Sequence, residues 1–327
     1  MNQAAVSSPR LDKWIRILNV AAVVAVFATI FVIFFYAPVE RTMGNVQRLF
    51  YFHVGSAWVG AVAFLVALIG GVLYLRRPSR KYDAMAVAAI EIGLVFLSMA
   101  IVGGSVWGKP AWNTWWIWSP RLTLVTVAWL TYAAYFMLRG AIEDEEKRGR
   151  YAAVYAIISF AVIILTYISI RIFRDIHPVV FGGTTEAAAG AQEGLQEFAG
   201  VESLRMVLSL NVAVIAFTVL GAAWLLVRIR LQYLMDYSNS LKARAASQLG
   251  GRPALVSGLG LIVAQMQMPA GMGNPDHFNN YLVLGYVVMS SIALFYVLTL
   301  AFRQRNVEKD ISLLQQVIDA ERSTRRS

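Results

Sequence analysis

The sequence predicts an all-α polytopic membrane protein, and three observations carry that prediction. Hydrophobic residues fill 58% of the 327 positions and charged residues 15%, with a mean hydropathy of +0.58. Seven uncharged runs lie at 17–39, 49–75, 92–108, 122–138, 151–170, 206–227 and 278–302, and about 20 apolar residues suffice to cross a bilayer as a helix. The basic residues gather in alternate connections between those runs, the signature of loops retained on the cytoplasmic side.

With the N-terminus inside, Arg10, Lys13 and Arg16 precede the first span, and Arg76, Arg77, Arg80 and Lys81 separate the second from the third. Arg139, Lys147, Arg148 and Arg150 separate the fourth from the fifth, and Arg228 to Arg252 follow the sixth. Of the 29 basic residues only Arg41, Arg48, Lys109, Arg121, Arg171, Arg174 and Arg205 then face outward. The formal charge of +10 reads as topology and affinity for anionic lipid, and nucleic-acid binding is not expected. An eighth uncharged run, 253–275, is rich in Gly, Pro and Gln. It is expected to be a marginal crossing or a re-entrant segment. Because basic residues flank both it and the last span, an intact chain with both termini inside requires the crossing.

The stretch from Trp107 to Thr123, WGKPAWNTWWIWSPRLT, holds five of the nine tryptophans. A membrane-interface belt needs only one or two rings per helix end. Trp107, Trp112, Trp115, Trp116 and Trp118 in one outward-facing connection therefore predict a flat aromatic platform for a large planar ligand. All three histidines face outward too. The run at 49–75 would be about 40 Å long as a helix, against a hydrocarbon core of roughly 30 Å, so His53 in RLFYFHVGSAW reaches the outer interface. His177 ends SIRIFRDIH, and Pro178 discourages helix there. Neutral imidazole is the commonest transition-metal ligand, so two histidines flanking an aromatic loop are candidates to hold haem iron. Taken singly, an interfacial histidine is more often a hydrogen-bonding residue, and His277 keeps that reading.

These residues resemble a known family. Trp107 to Thr123 is similar to the tryptophan-rich signature of the cytochrome c maturation protein C family, also called haem exporter protein C, and YFHVGSAW and SIRIFRDIH resemble its two histidine motifs. The resemblance covers roughly residues 14–230, a six-helix haem-handling bundle. It implies that haem b is bound non-covalently at the outer face of the cytoplasmic membrane and passed to a periplasmic haem chaperone for c-type cytochrome assembly. ABC-transporter subunits of the same system are further implied partners. His53 and His177 map onto the axial ligands. The five tryptophans complete the implied site. Apart from the resemblance, the outer-face cations Arg41, Arg48, Arg121 and Arg174 are candidates to fork onto haem propionates, with solvated or headgroup-bound arginines as the equal alternative, and Arg121 lies within the tryptophan stretch itself. The family has Asp where this chain has Ser119; a Ser-Pro pair caps a helix well, so capping survives while any role for a negative charge does not. The family's tryptophan pair before the second histidine is replaced by Ile172 and Phe173.

Residues 231–252 read as a cytoplasmic linker and 253–327 as a C-terminal unit, with one clear span and one marginal one. Val307, Ile311, Leu314 and Ile318 form one stripe of a helical tail. That unit resembles the small cytochrome c maturation protein D, so the chain reads as a fusion of maturation proteins C and D. Glu91, an ionisable residue inside the third span, is expected either to snorkel toward Lys81 or to meet a polar partner.

With no cysteine in the chain, thiolate ligation and covalent haem attachment through C-x-x-C-H are excluded. Neither a phosphate-binding loop nor a serine nucleophile elbow is present, and the chain is expected not to be an enzyme. Two other readings compete: a membrane cytochrome b-type redox component, which would need histidine pairs in both leaflets, and a secondary transporter or assembly factor in which the tryptophans merely pack.

Overall fold

The computed structural model describes residues 9–40, 43–173, 177, 201, 203–248 and 278–324. Within them the chain forms α1 (Pro9–Phe31, continued by a π-helical turn at Val32–Tyr36), α2 (Gln47–Arg76), α3 (Arg80–Trp112), α4 (Pro120–Ala141), α5 (Glu145–Ile172), α6 (Leu204–Gln248) and α7 (Phe278–Thr324). All seven are long and apolar enough to span a bilayer, and the only β-pairing among the described residues is the isolated bridge between Glu40 and Gly44. The protein is an all-α polytopic membrane protein.

Local chemistry sets the ends of several helices. Ser79 caps α3 by accepting from the Lys81 N–H, and Asp144 caps α5 by accepting from Lys147 N–H at 2.7 Å. Asp144 also places negative charge at the positive end of the helix dipole, joined by Glu145 and Glu146 in the first turn. α3 stops where Asn113 adopts a left-handed conformation, φ 54°, which Asn tolerates better than most residues. Pro110 sits in that last turn, and Lys109 Nζ donates to the Asn113 carbonyl at 2.9 Å. Ser119 caps α4, accepting from Leu122 N–H at 3.4 Å, with Pro120 as the first helical residue. The Ser-Pro start read from the sequence is thus the observed start.

Lipid is as apolar as the helix faces, so close packing and internal polar contacts hold such a bundle together. Phe64 of α2 stacks on Tyr132 of α4 with ring centres 3.7 Å apart, and it lies against Gly93 of α3, where a Cβ would come within 2.5 Å of the ring. α7 is not peripheral. Leu282, Met289, Tyr296 and Leu300 are buried in the same core as Phe50, Phe96 and Trp107, so the C-terminal segment from residue 278 packs directly on the first six helices.

Ionic contacts collect at one end of the bundle. Arg139 of α4 forks onto Asp83 of α3 at 2.6 and 2.9 Å, and Arg230 of α6 meets Asp12 of α1 at 3.1 Å. Glu91 has polar partners from two other helices: Arg228 Nε of α6 at 2.8 Å, with Tyr296 Oη at 3.2 Å and Arg303 at 3.3 Å from α7. Of the two expectations for this carboxylate, the polar partner holds, and no contact with Lys81 is seen among the described residues. Beyond this ionic end, α6 and α7 continue as a pair, with Lys242 bound to Asp310 at 3.0 Å and Ile318 packed among Tyr237, Leu241 and Ala245.

α6 and α7 run in the same direction. Phe217 and Tyr286 both touch Phe52, Trp224 meets Tyr296 further along, and Tyr237 meets Gln315 beyond that. α6 therefore ends, and α7 begins, at opposite ends of the bundle. The expected crossing at 253–275, like Arg41, Arg174 and His277, lies outside the described residues.

A paired-imidazole cavity between α3 and α4

At the other end, α3 and α4 diverge. Trp129 Nε1 donates to Ser98 Oγ at 2.8 Å, and above this junction the two helices flank a cavity that reaches from the tryptophan loop down to Leu97. Ten residues of helix separate Leu97 from Trp107, a depth of about 15 Å. The walls below the loop are apolar, with Ile101 on α3 and Leu122 and Val125 on α4.

His53 projects into this cavity from the second turn of α2. Its Nδ1 lies 2.8 Å from the Ala100 carbonyl oxygen. A carbonyl can only accept, so Nδ1 carries the proton and the lone pair of the neutral ring rests on Nε2. His177, five residues beyond the end of α5, also lines the cavity, with its ring centroid 6.1 Å from that of His53 and the planes tilted by 45°. The two residues are distant in sequence, and the fold brings them to one point. Among the described residues, no group of three His, Asp or Glu side chains converges as a metal cage would. The metal-ligating side chains that meet in the cavity are this pair of imidazoles.

The tryptophans line the cavity, but not as a flat platform. Trp107 is buried and meets Trp112 edge-on, centroids 5.3 Å apart at 89°. Trp112 in turn lies 6.1 Å from the His177 ring. Trp115 turns its edge to Tyr281 of α7 at 5.7 Å, and Trp116 meets Trp118 at 78°. The ring quadrupole favours this edge-to-face geometry over a coplanar sheet, so the expected platform is instead an angular aromatic collar. Trp107, Trp112, Trp115, Trp116 and Arg121 line the cavity with the two histidines; Trp118 does not, standing 70% exposed on the rim. Trp116 Nε1 is buried with no hydrogen-bond partner among the described residues. Ile172 and Phe173, which replace the indoles expected before His177, are both exposed.

Two groups escaped sequence reasoning. The Ala100 carbonyl, which sets the His53 tautomer, is backbone and leaves no compositional trace. Gly104, whose missing side chain lets the His53 ring approach α3, was signalled only by a Gly-Gly pair in the middle of an apolar run.

The fold and site define a helical, multi-spanning membrane protein with two imidazoles close together in an indole-lined cavity. Residues 3–244 match the family described as Heme exporter protein C, and the chain belongs to that family. It is 34% identical over 148 residues to Heme exporter protein C of Escherichia coli strain K12, covering 44% of this chain and 59% of that one. The Rhodobacter capsulatus protein of the same name is 33% identical over 132 residues, 40% of this chain and 54% of its own length. A putative cytochrome c biosynthesis ccmC-like mitochondrial protein of Marchantia polymorpha is 28% identical over 141 residues, 43% of this chain and 59% of its own. The alignments thus span a little over half the length of these curated relatives.

Proposed function

We propose that this chain binds haem b non-covalently as exchangeable cargo in the cavity between α3 and α4, held by His53 and His177, and delivers it for c-type cytochrome assembly. The facing imidazoles carry this reading. With metal–nitrogen bonds of about 2 Å and roughly 1 Å from each nitrogen to its ring centre, two imidazoles on either side of one ion have centres about 6 Å apart. The observed separation is 6.1 Å.

The remaining residues suit the same ligand. When bound, haem supplies an iron with two axial positions, a broad apolar face and two carboxylates. The indoles and the aliphatic walls of α3 and α4 cover the face and exclude water. Arg121 offers a guanidinium to a carboxylate, and the orphaned Trp116 N–H is a donor awaiting an acceptor. Without a cysteine there is no thioether to trap the haem, as release to an acceptor requires. The chain in this account is a carrier and not an enzyme. The names of its relatives, heme exporter and cytochrome c biosynthesis protein, point the same way.

The exposed Trp118 at the rim is placed for contact with the acceptor, a periplasmic haem chaperone, while ABC-transporter subunits of the maturation system would bind elsewhere on the bundle. The histidine end faces outward from the cytoplasmic membrane and the ionic end, rich in arginine, faces the cytoplasm. The C-terminal unit, whose α7 packs on the first six helices, is read as a fused companion resembling maturation protein D.

Haem titration of the purified chain tests the proposal. One haem per chain with a six-coordinate spectrum, and transfer to a soluble apo acceptor such as apomyoglobin, is expected. Two haems would instead indicate a transmembrane redox component, and none would mean that the aromatic collar only packs.

A further inference from the structure

Gly104 lies directly beneath the His53 ring. A Cβ at this position would stand 2.7 Å from His53 Cε1 and 3.0 Å from Nδ1, far inside the separation of about 3.5–4.0 Å at which such atoms attract. The Ala100 carbonyl that fixes the ring, at 2.8 Å from Nδ1, sits one helical turn below on the same face of α3. Any side chain at 104 would thus push the ring off its acceptor. Gly103, next along the helix, is crowded by something different: the sulfur of Met289, 2.7 Å from its would-be Cβ, near the end of a flexible side chain that can swing aside.

We propose that Gly104 is a positioning residue for His53: its bare backbone lets the imidazole lie on α3 and give its Nδ1 proton to Ala100, presenting unprotonated Nε2 to the bound iron. The proposal rests on the haem-binding reading and deepens it. A displacement of about 1 Å would stretch the bond to Ala100 beyond hydrogen-bonding range and release both the orientation and the tautomer of the ring. Partners that orient a metal-ligating histidine change metal affinity by about 10–100-fold when lost.

The full chain carrying Gly104→Ala, titrated with haemin in detergent and followed by absorption and electron paramagnetic resonance, should bind haem about 10–100-fold more weakly. Part of its iron should become high-spin. Gly103→Ala, the same change one residue away, should leave the spin state unaltered. A Gly104→Ala chain with wild-type affinity and spectrum overturns the proposal. If Gly104→Ala fails to accumulate, His53→Ala/Gly104→Ala decides: accumulation equal to His53→Ala alone assigns the conflict to the ring, and continued failure overturns it. If the wild-type chain takes up no haem, the functional reading falls and thermal stability judges Gly104 separately. The cost of Gly104→Ala must then vanish in the His53→Ala background, and a cost that persists counts against the contact.

Discussion

At the ionic end, α3 is tied to α4 by Asp83–Arg139 and to α6 and α7 by Glu91 with Arg228 and Arg303, while Asp12–Arg230 ties α1 to α6. At the histidine end, α2 and α3 meet through the tilted rings of Phe50 and Trp107, the loop meets α7 through Trp115 on Tyr281, and one imidazole is bonded to a backbone carbonyl. On the proposed reading, the difference teaches how the bundle separates stability from haem binding. The best-shielded charge pairs, Asp83–Arg139 and Glu91–Arg228, have exacting geometry and lock helix positions. Edge-on aromatic contacts are weaker, about 0.5–1.5 kcal/mol each beyond their burial, and leave α3 and α4 apart above the Ser98–Trp129 junction. Substitutions at the two ends should therefore fail in different ways.

The largest effect is expected at Glu91. Its removal leaves Arg228, whose side chain is 4% exposed, without its carboxylate, and an uncompensated buried charge costs about 3–5 kcal/mol. Glu91→Ala should lower the unfolding temperature in detergent and the yield from membranes, while the chain that survives keeps its haem spectrum. Loss of haem without loss of stability would erase the distinction between the ends.

Trp115 and Trp116 supply the converse. Replacing both by leucine keeps much of the apolar area but removes two ring faces from the cavity, so haem affinity should fall by roughly tenfold, about 1.4 kcal/mol. Membrane insertion and yield should change little. Equal losses in binding and yield would make the rings structural.

Ser119 sharpens the comparison at the smallest scale. Its hydroxyl caps the helix that carries one wall of the cavity, so Ser119→Ala should cost about 1 kcal/mol of stability, read by thermal unfolding. Ser119→Asp should be tolerated, because a carboxylate caps equally well and sits at the positive end of the α4 dipole. An Asp variant that fails to accumulate would refute the capping account.

What was legible in the sequence follows from what a hydropathy pattern records. The seven uncharged runs all fall on helices, because lipid selects them residue by residue. Helix ends carrying charge left no mark in the uncharged runs: the third run starts at residue 92, while α3 begins at Arg80 and carries Glu91 inside it, its charge met by α6 and α7. α6 likewise continues to 248 through residues read as a linker, whereas the continuation of α7 to 324 is the helical tail that the stripe from Val307 to Ile318 predicted. The motif residues were found by type and by resemblance, yet no spacing along the chain shows that His53 and His177 would meet. The angles between the tryptophan rings were equally hidden. They depend on neighbours such as Tyr281, far along the chain, so the flat platform expected of them became a collar.

The central claim is that the two imidazoles grip one haem from opposite sides. Its most direct test is the absorption spectrum of haem-loaded His53→Ala and His177→Ala beside the wild-type chain. Each single variant should lose the six-coordinate low-spin bands and bind haem more weakly, and the double variant should retain least. If both single variants kept full haem content and an unchanged six-coordinate spectrum, haem would be held elsewhere and the paired-imidazole cavity would not be its site.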